Sequence, residues 1–131
     1  MKFFFISEGD KVKDEKVIDY TSRISHYFPC EWKTSISYDE KDFVILLDET
    51  GKELTSPELA QFIEKRCMDS GKRVVFIIGG AYGVTQEIKD RADFIWSLSK
   101  LVFPHEIVRI ILAEQVYRAC TIMRNEKYHH A

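Results

Sequence analysis

Three short runs constrain the fold of this 131-residue chain more than any other feature: VILLD at 44–48, VVFII at 74–78 and FIWSL at 94–98. Each is an apolar run rich in β-branched or aromatic residues, with no polar residue at every second position. A strand covered on one face alternates apolar and polar residues, whereas a strand covered on both faces reads as a continuous run. The three runs therefore predict a largely parallel sheet with helices on both faces. Alternation occurs once, where Trp32, Thr34, Ile36 and Tyr38 interleave with Lys33, Ser35 and Ser37, which predicts a half-exposed strand at or near a sheet edge. MKFFFIS supplies a first strand.

Helices are expected between these strands. Val17, Ile18, Tyr20, Ile24 and Phe28 recur at helical spacing and predict a helix over 15–28, stopped by Pro29. A second begins at Thr55 or Ser56 with Pro57 just inside its start, and carries Leu59, Phe62, Ile63 and Cys67 on one face until Ser70-Gly71. A short helix is expected over 85–92. The last runs from about Pro104 to Met123, and its apolar residues, among them Ile107, Ile110, Ile111, Leu112, Val116 and Ile122, cover far more than one third of its circumference. One sheet face cannot bury so wide a surface, so a second covering surface, such as another subunit, is expected.

With 45% hydrophobic residues, a chain of this length makes one domain, 1–131, that buries enough surface to be stable without staples. Cys30, Cys67 and Cys120 are odd in number and widely spaced, without metal-ligand spacing, which predicts a reducing compartment and no metal site. No leader-like segment precedes the first strand, and no run approaches the roughly 18 apolar residues of a membrane span, so a soluble, cytoplasmic protein is expected. The net charge of −2 argues against nucleic-acid binding by bulk charge. It is uneven, however: residues 100–131 hold 5 Lys/Arg against 3 Asp/Glu, which leaves room for a local basic surface there.

Two loops carry the chemistry. Gly79-Gly80-Ala81-Tyr82-Gly83 follows a buried strand and precedes a helix, allowing close approach of a ligand to the backbone, although it matches neither GxGxxG nor a phosphate loop. The segment 98–103, LSKLVF, is apolar yet lacks glycine; a loop that buries Leu101 and Phe103 either fills core or wraps a ligand, and Lys100 is an ordinary surface charge on the first alternative. Both loops leave the carboxyl ends of strands expected to be neighbours, where open α/β sheets bind ligands, and this marks an enzyme candidate. On the last helix, His105 and Arg109 are four apart, as are Glu114 and Arg118. Charges on a nearly all-apolar helix must be paired or face a crevice. The tail Tyr128-His129-His130 adds imidazoles suited to proton transfer near neutral pH.

In order and spacing, the blocks LLDETGK, IIGGAYG, WSLSKLVFPH, VRIILAEQVYRA and NEKYH resemble the RlmH family of SPOUT-class methyltransferases, over residues 43–131 with a looser match before them. The resemblance implies a SPOUT-type α/β fold with a carboxyl-terminal trefoil knot, the knot and cofactor region at about 74–131, and a homodimer through the last helix. It implies S-adenosylmethionine as cofactor, bound by Leu47, Gly79, Leu98, Ser99, Lys100, Leu101, Val102 and Phe103. The substrate implied is N3 of a pseudouridine in 23S ribosomal RNA on assembled ribosomes. His129 and Tyr128 are implied near that base, with His129 in proton transfer or in orienting the base, and Arg118 at the subunit seam as an electrostatic partner. One departure stands out. Family members carry a helix and basic turn between the second and third strands, where only about 37–42 connects them here, so those strands should pair antiparallel if they are adjacent. That loss bears on RNA docking and keeps two alternatives in view, a cofactor- or RNA-binding relative without turnover and a flavodoxin-like nucleotide-binding module.

Overall fold

In the computed structural model, which describes residues 1–9, 11–68, 73–79 and 83–130, every strand pairing is parallel. The elements run β1 (Lys2–Ser7), α1 (Glu15–Ile24), β2 (Cys30–Lys33), β3 (Phe43–Glu53), α2 (Ser56–Phe62), β4 (Arg73–Ile78), α3 (Gln86–Arg91), β5 (Phe94–Ser97) and α4 (His105–Met123). The strands lie in the order β2-β1-β4-β3-β5. Register explains the continuous apolar runs. Phe3, Val74 and Phe43 form one rung, and Phe5, Phe76 and Ile45 another, both on the first face; Phe4, Val75 and Val44 form a rung on the second face, followed by Ile6, Ile77 and Leu46. Both sets are buried, because α1, α2 and α4 cover the first face while α3 and the segment carrying Ile36 and Tyr38 cover the second.

Local chemistry sets the element ends. Asp14 caps α1 by accepting from the Lys16 N–H at 2.8 Å. Thr55 and Glu58 form a reciprocal capping box at α2, and Thr85 caps α3. α2 continues through a π-wound turn at Ile63–Cys67, which keeps Leu59, Ile63 and Cys67 buried. The expected stop at Ser70-Gly71 lies outside the described residues. No helix among the described residues is long and apolar enough to cross a membrane.

Three expectations are corrected, and the condition attached to a fourth is not met. The helix predicted over 15–28 ends at Ile24; the Tyr27 and Phe28 N–H groups both turn back to the Ile24 carbonyl, because a residue before proline is disfavoured in the helical region. The alternating stretch 32–38 is a strand only to Lys33. Trp32 packs against the first face, whereas Ile36 and Tyr38 pack against the second, so the chain rounds the sheet edge between them instead of extending along it. β2 and β3 are not neighbours, so the antiparallel pairing has no occasion to form: the link crosses the second face from the β2 edge to the far side of β4. That crossing spans three strand spacings, roughly 14 Å, within the roughly 30 Å reach of nine extended residues. Finally, β4 and β5 are separated by β3.

β3 also departs from a simple run. Leu47 and Lys52 both oppose Trp96 of β5, so 48–51 loop out between them. Gly51 makes this possible: a Cβ there would sit 2.5 Å from the Ile95 carbonyl oxygen.

Candidate active site

A cavity of about 450 Å³ opens at the carboxyl ends of β3, β4 and β5. β3 contributes Leu47, Asp48 and Glu49, β4 and its turn contribute Ile78, Gly79, Gly83 and Val84, and α4 contributes His105 and Val108. Leu98, Ser99, Leu101, Val102 and Phe103 complete the wall. Short hydrogen bonds shape that last loop without glycine. The Ser97 hydroxyl donates to the Ser99 carbonyl at 2.8 Å, and the Leu101 N–H donates to the Ser99 Oγ at 3.0 Å. In the glycine turn, Gly83 takes φ +76°, a region a side chain disfavours, and 80–82 lie outside the described residues.

Of the eight cofactor residues named from sequence, seven line this cavity; Lys100 is exposed and does not. A second difference concerns burial. Phe103 is half-buried, but Leu101 is 69% and Val102 79% exposed, so this loop does not bury its apolar side chains within one chain. Large apolar side chains on the rim of a cavity mark a surface that a ligand or another chain covers.

A second cluster forms where the tail folds back on α4. Glu114 is its hub: Arg118 binds it through Nε at 3.1 Å and through a terminal nitrogen at 2.7 Å, and the Tyr128 hydroxyl donates to it at 2.9 Å. The Gln115 amide donates to Glu114 at 2.8 Å. Burial, then the hydrogen bond to Glu114, pushes the Tyr128 phenol well above its ordinary value, so it stays protonated. The hydrogen bond to Glu114 holds Arg118 charged. Arg118 also lies over the Tyr128 ring, 4.8 Å from its centroid.

Arg118 reaches the His129 Nδ1 at 3.1 Å. A guanidinium only donates, so Nδ1 is the acceptor and the neutral ring carries its proton on Nε2. That Nε2 is buried and has no partner among the described residues. A buried donor without an acceptor costs about 1–3 kcal/mol.

Arg118, Tyr128 and His129 thus lie together in one chain. They are not brought to the cavity of the same chain. Val108 lines the cavity and Arg118 follows ten residues later on one helix, about 15 Å along its axis at 1.5 Å per residue. Sequence reasoning also passed over several site members, among them Val84, Glu114, Asp48 and Glu49. Glu114 was visible only as one half of an i,i+4 pair on an apolar helix, and Asp48 and Glu49 only as the polar residues directly after the buried run of β3.

The fold and cavity are those of an α/β protein with room for a cofactor-sized molecule at the carboxyl ends of its strands, the place where enzymes of this class bind ligands. A profile of the family described as "Predicted SPOUT methyltransferase" matches residues 33–129. The protein named "Ribosomal RNA large subunit methyltransferase H" of Christiangramia forsetii is 38% identical over 154 residues, covering 99% of this chain and 98% of the relative. Its namesake in Cytophaga hutchinsonii is 38% identical over 93% of each chain, and that of Geobacter metallireducens is 54% identical over 67% of this chain and 57% of the relative. This chain belongs to the RlmH family of SPOUT methyltransferases. The alignment to the Christiangramia protein runs 23 positions longer than this chain, so at least that many residues of the relative have no counterpart here.

Proposed function

We propose that this protein is an S-adenosylmethionine-dependent methyltransferase that modifies N3 of a pseudouridine in 23S ribosomal RNA on the assembled ribosome. The observation that carries this reading is the cavity at the strand ends, which gathers seven of the eight cofactor residues named from sequence. Its residues fit the cofactor. Leu98, Leu101, Phe103 and Val84 offer apolar surface for an adenine ring, Asp48 and Glu49 offer carboxylates for hydroxyl or cationic groups, and the volume suits a drug-sized molecule. The cofactor supplies an electrophilic methyl group on a sulfonium.

The protein's own contribution is positioning and electrostatics. N3 of the base lies between two ring carbonyls, so its proton can leave to water ahead of methyl transfer, and the negative charge left behind spreads onto oxygen. Arg118 brings a fixed positive charge, held in orientation by Glu114. His129 accepts from Arg118 through Nδ1 and helps hold that charge in place, which suits a base-orienting role. Tyr128 packs against Arg118 and shares the same carboxylate.

Because cavity and tail cluster lie about 15 Å apart along α4, one chain alone does not assemble both. A homodimer through α4 would set the tail of one subunit beside the cavity of the other. The exposed Ile107, at 43%, and the exposed Leu101 and Val102 support this, as they form an uncovered apolar surface around the start of α4. The trefoil knot is proposed for residues 74–131, supported by the strand order, in which the chain leaving β4 passes β3 to reach β5.

The test is methyl transfer from tritiated S-adenosylmethionine to ribosomes from a strain lacking the gene, with free ribosomal RNA alongside. Label entering ribosomes, and falling with His129→Ala, is the expected result. One observation favours a second reading, a relative without turnover: the residues of the Christiangramia protein that lack a counterpart here. Cofactor binding and a dimer without any transfer would move the conclusion to it.

A further inference from the structure

A second concavity, of about 510 Å³, is lined by Lys11, Lys13, Asp14, Glu106 and Arg109 and takes no part in the site above. It lies between the chain leaving β1 and the first turns of α4. β1 is the neighbour of β4 in the sheet, so this cleft sits beside the cofactor cavity. The two share a wall: His105 and Val108 face the cavity, and Glu106 and Arg109, each one residue further on, face the cleft.

The charges in the cleft are unevenly committed. Asp14 accepts the Lys16 N–H as the cap of α1. Arg109 is anchored by its Nε, which donates to the Ser7 Oγ at 2.7 Å, and Ser7 is itself 2% exposed. Lys11 and Lys13 are exposed and form no ion pair among the described residues. Lys11, Lys13 and Arg109 face the carboxylates of Asp14 and Glu106 across the concavity, so it keeps a positive excess that an entering anion would relieve.

We propose that this cleft binds phosphate groups of the RNA strand next to the target nucleotide, with Lys11 and Lys13 as the contacts. This rests on the reading of the protein as an RNA methyltransferase. A base presented at the mouth of the cavity leaves its flanking backbone on the protein surface, and among the described residues one turn of α4 stands between cavity and cleft. Contacts of this kind set register and orientation without reading sequence, and make binding depend steeply on salt. The cleft draws its lysines from the amino-terminal loop, so the recognition surface spans both ends of the chain.

The test is the double variant Lys11→Gln/Lys13→Gln, with ribosome binding followed by sedimentation between 50 and 300 mM KCl and turnover measured separately. Loss of two phosphate contacts should flatten the slope of log affinity against log salt by about 1.4–1.8. The KM for ribosomes should rise at least tenfold at low salt with kcat within about twofold, and affinity for S-adenosylmethionine should be unchanged. An unchanged KM and salt slope would overturn the proposal. So would a loss confined to cofactor affinity, since the cleft would then hold the cofactor's carboxylate. Sedimentation keeps the two readings apart: a wild-type protein that binds ribosomes without methylating them, and binds less in the variant, upholds the cleft and sinks the enzyme.

Discussion

The substitution Asp42→Asn tests how so short a link between β2 and β3 is held in place. Asp42 is 2% exposed at its side chain and takes Arg73 in a fork, Nε to Oδ1 at 2.8 Å and a terminal nitrogen to Oδ2 at 2.7 Å. The Asp39 N–H adds a third bond at 3.0 Å. Arg91 grips the same link from α3, donating to the carbonyls of Asp39 at 3.0 Å and Asp42 at 2.9 Å. Asparagine keeps the volume but presents one neutral acceptor and turns an N–H₂ toward a cation. Each charge-assisted bond is worth about 1.5–3 kcal/mol, and the half-exposed Arg73 recovers part of this from water, so the expected loss is about 2 kcal/mol. With an unfolding entropy of roughly 2.1 cal/mol/K per residue, that lowers Tm by about 7 °C.

The pH dependence has a definite sign. Burial alone would raise the Asp42 carboxyl, but hydrogen bonds from Arg73 and the Asp39 backbone, with the charges of Arg73 and Arg91, outweigh it and hold it below its ordinary value. A group lowered in the folded state stabilises fully above its unfolded pKa of about 3.9 and loses that contribution as pH falls through the folded value. Differential scanning calorimetry at equal protein concentration should show the full gap between wild type and variant at pH 6–7 and a shrinking gap below pH 4. S-adenosylmethionine affinity should not change, because Asp42 lies at the opposite end of β3 from the cavity. An unaltered Tm at pH 7, or a gap that stays constant down to pH 3, would refute the latch.

Three further outcomes follow from the geometry. Gly51→Ala drives a Cβ into the Ile95 backbone at 2.5–2.6 Å and should cost about 1–3 kcal/mol, along with cofactor affinity, because 47–49 wall the cavity; a Tm within 1 °C of wild type contradicts this. Glu114→Gln removes the carboxylate that orients Arg118 and accepts from Tyr128, so kcat should fall at least tenfold with cofactor Kd unchanged in calorimetry; equal losses in both would mean a general structural role. Ile107→Asp sits on an exposed position and should yield a folded monomer by light scattering at micromolar concentration, inactive if two subunits share the site; an active monomer would exclude the shared site.

Most elements were legible because local pattern reports what each side chain must bury. The continuous runs became β3, β4 and β5, and the Thr55, Thr85 and Pro104 signals start their helices where expected. The segment 98–103 stood out because an apolar loop without glycine has no local reason to exist. The exposure of Leu101 removes the alternative in which it fills core and leaves the one in which the loop wraps a ligand.

What the sequence by itself determined is which residues lie inside, which faces are covered and which segments are fit to meet a cofactor, since these follow from hydrophobic period, capping chemistry and the match of its motifs to one family. Only the tertiary structure decided that β3 lies between β4 and β5, that 34–42 rounds the sheet edge, that Glu114 gathers Arg118 and Tyr128, and that Lys11 and Arg109 line one cleft. These are juxtapositions of residues up to 102 apart, as in the Arg109–Ser7 bond. A local pattern records only that a side chain must be buried or paired, and the choice of partner depends on strand order and on crossings that no nearby residue encodes.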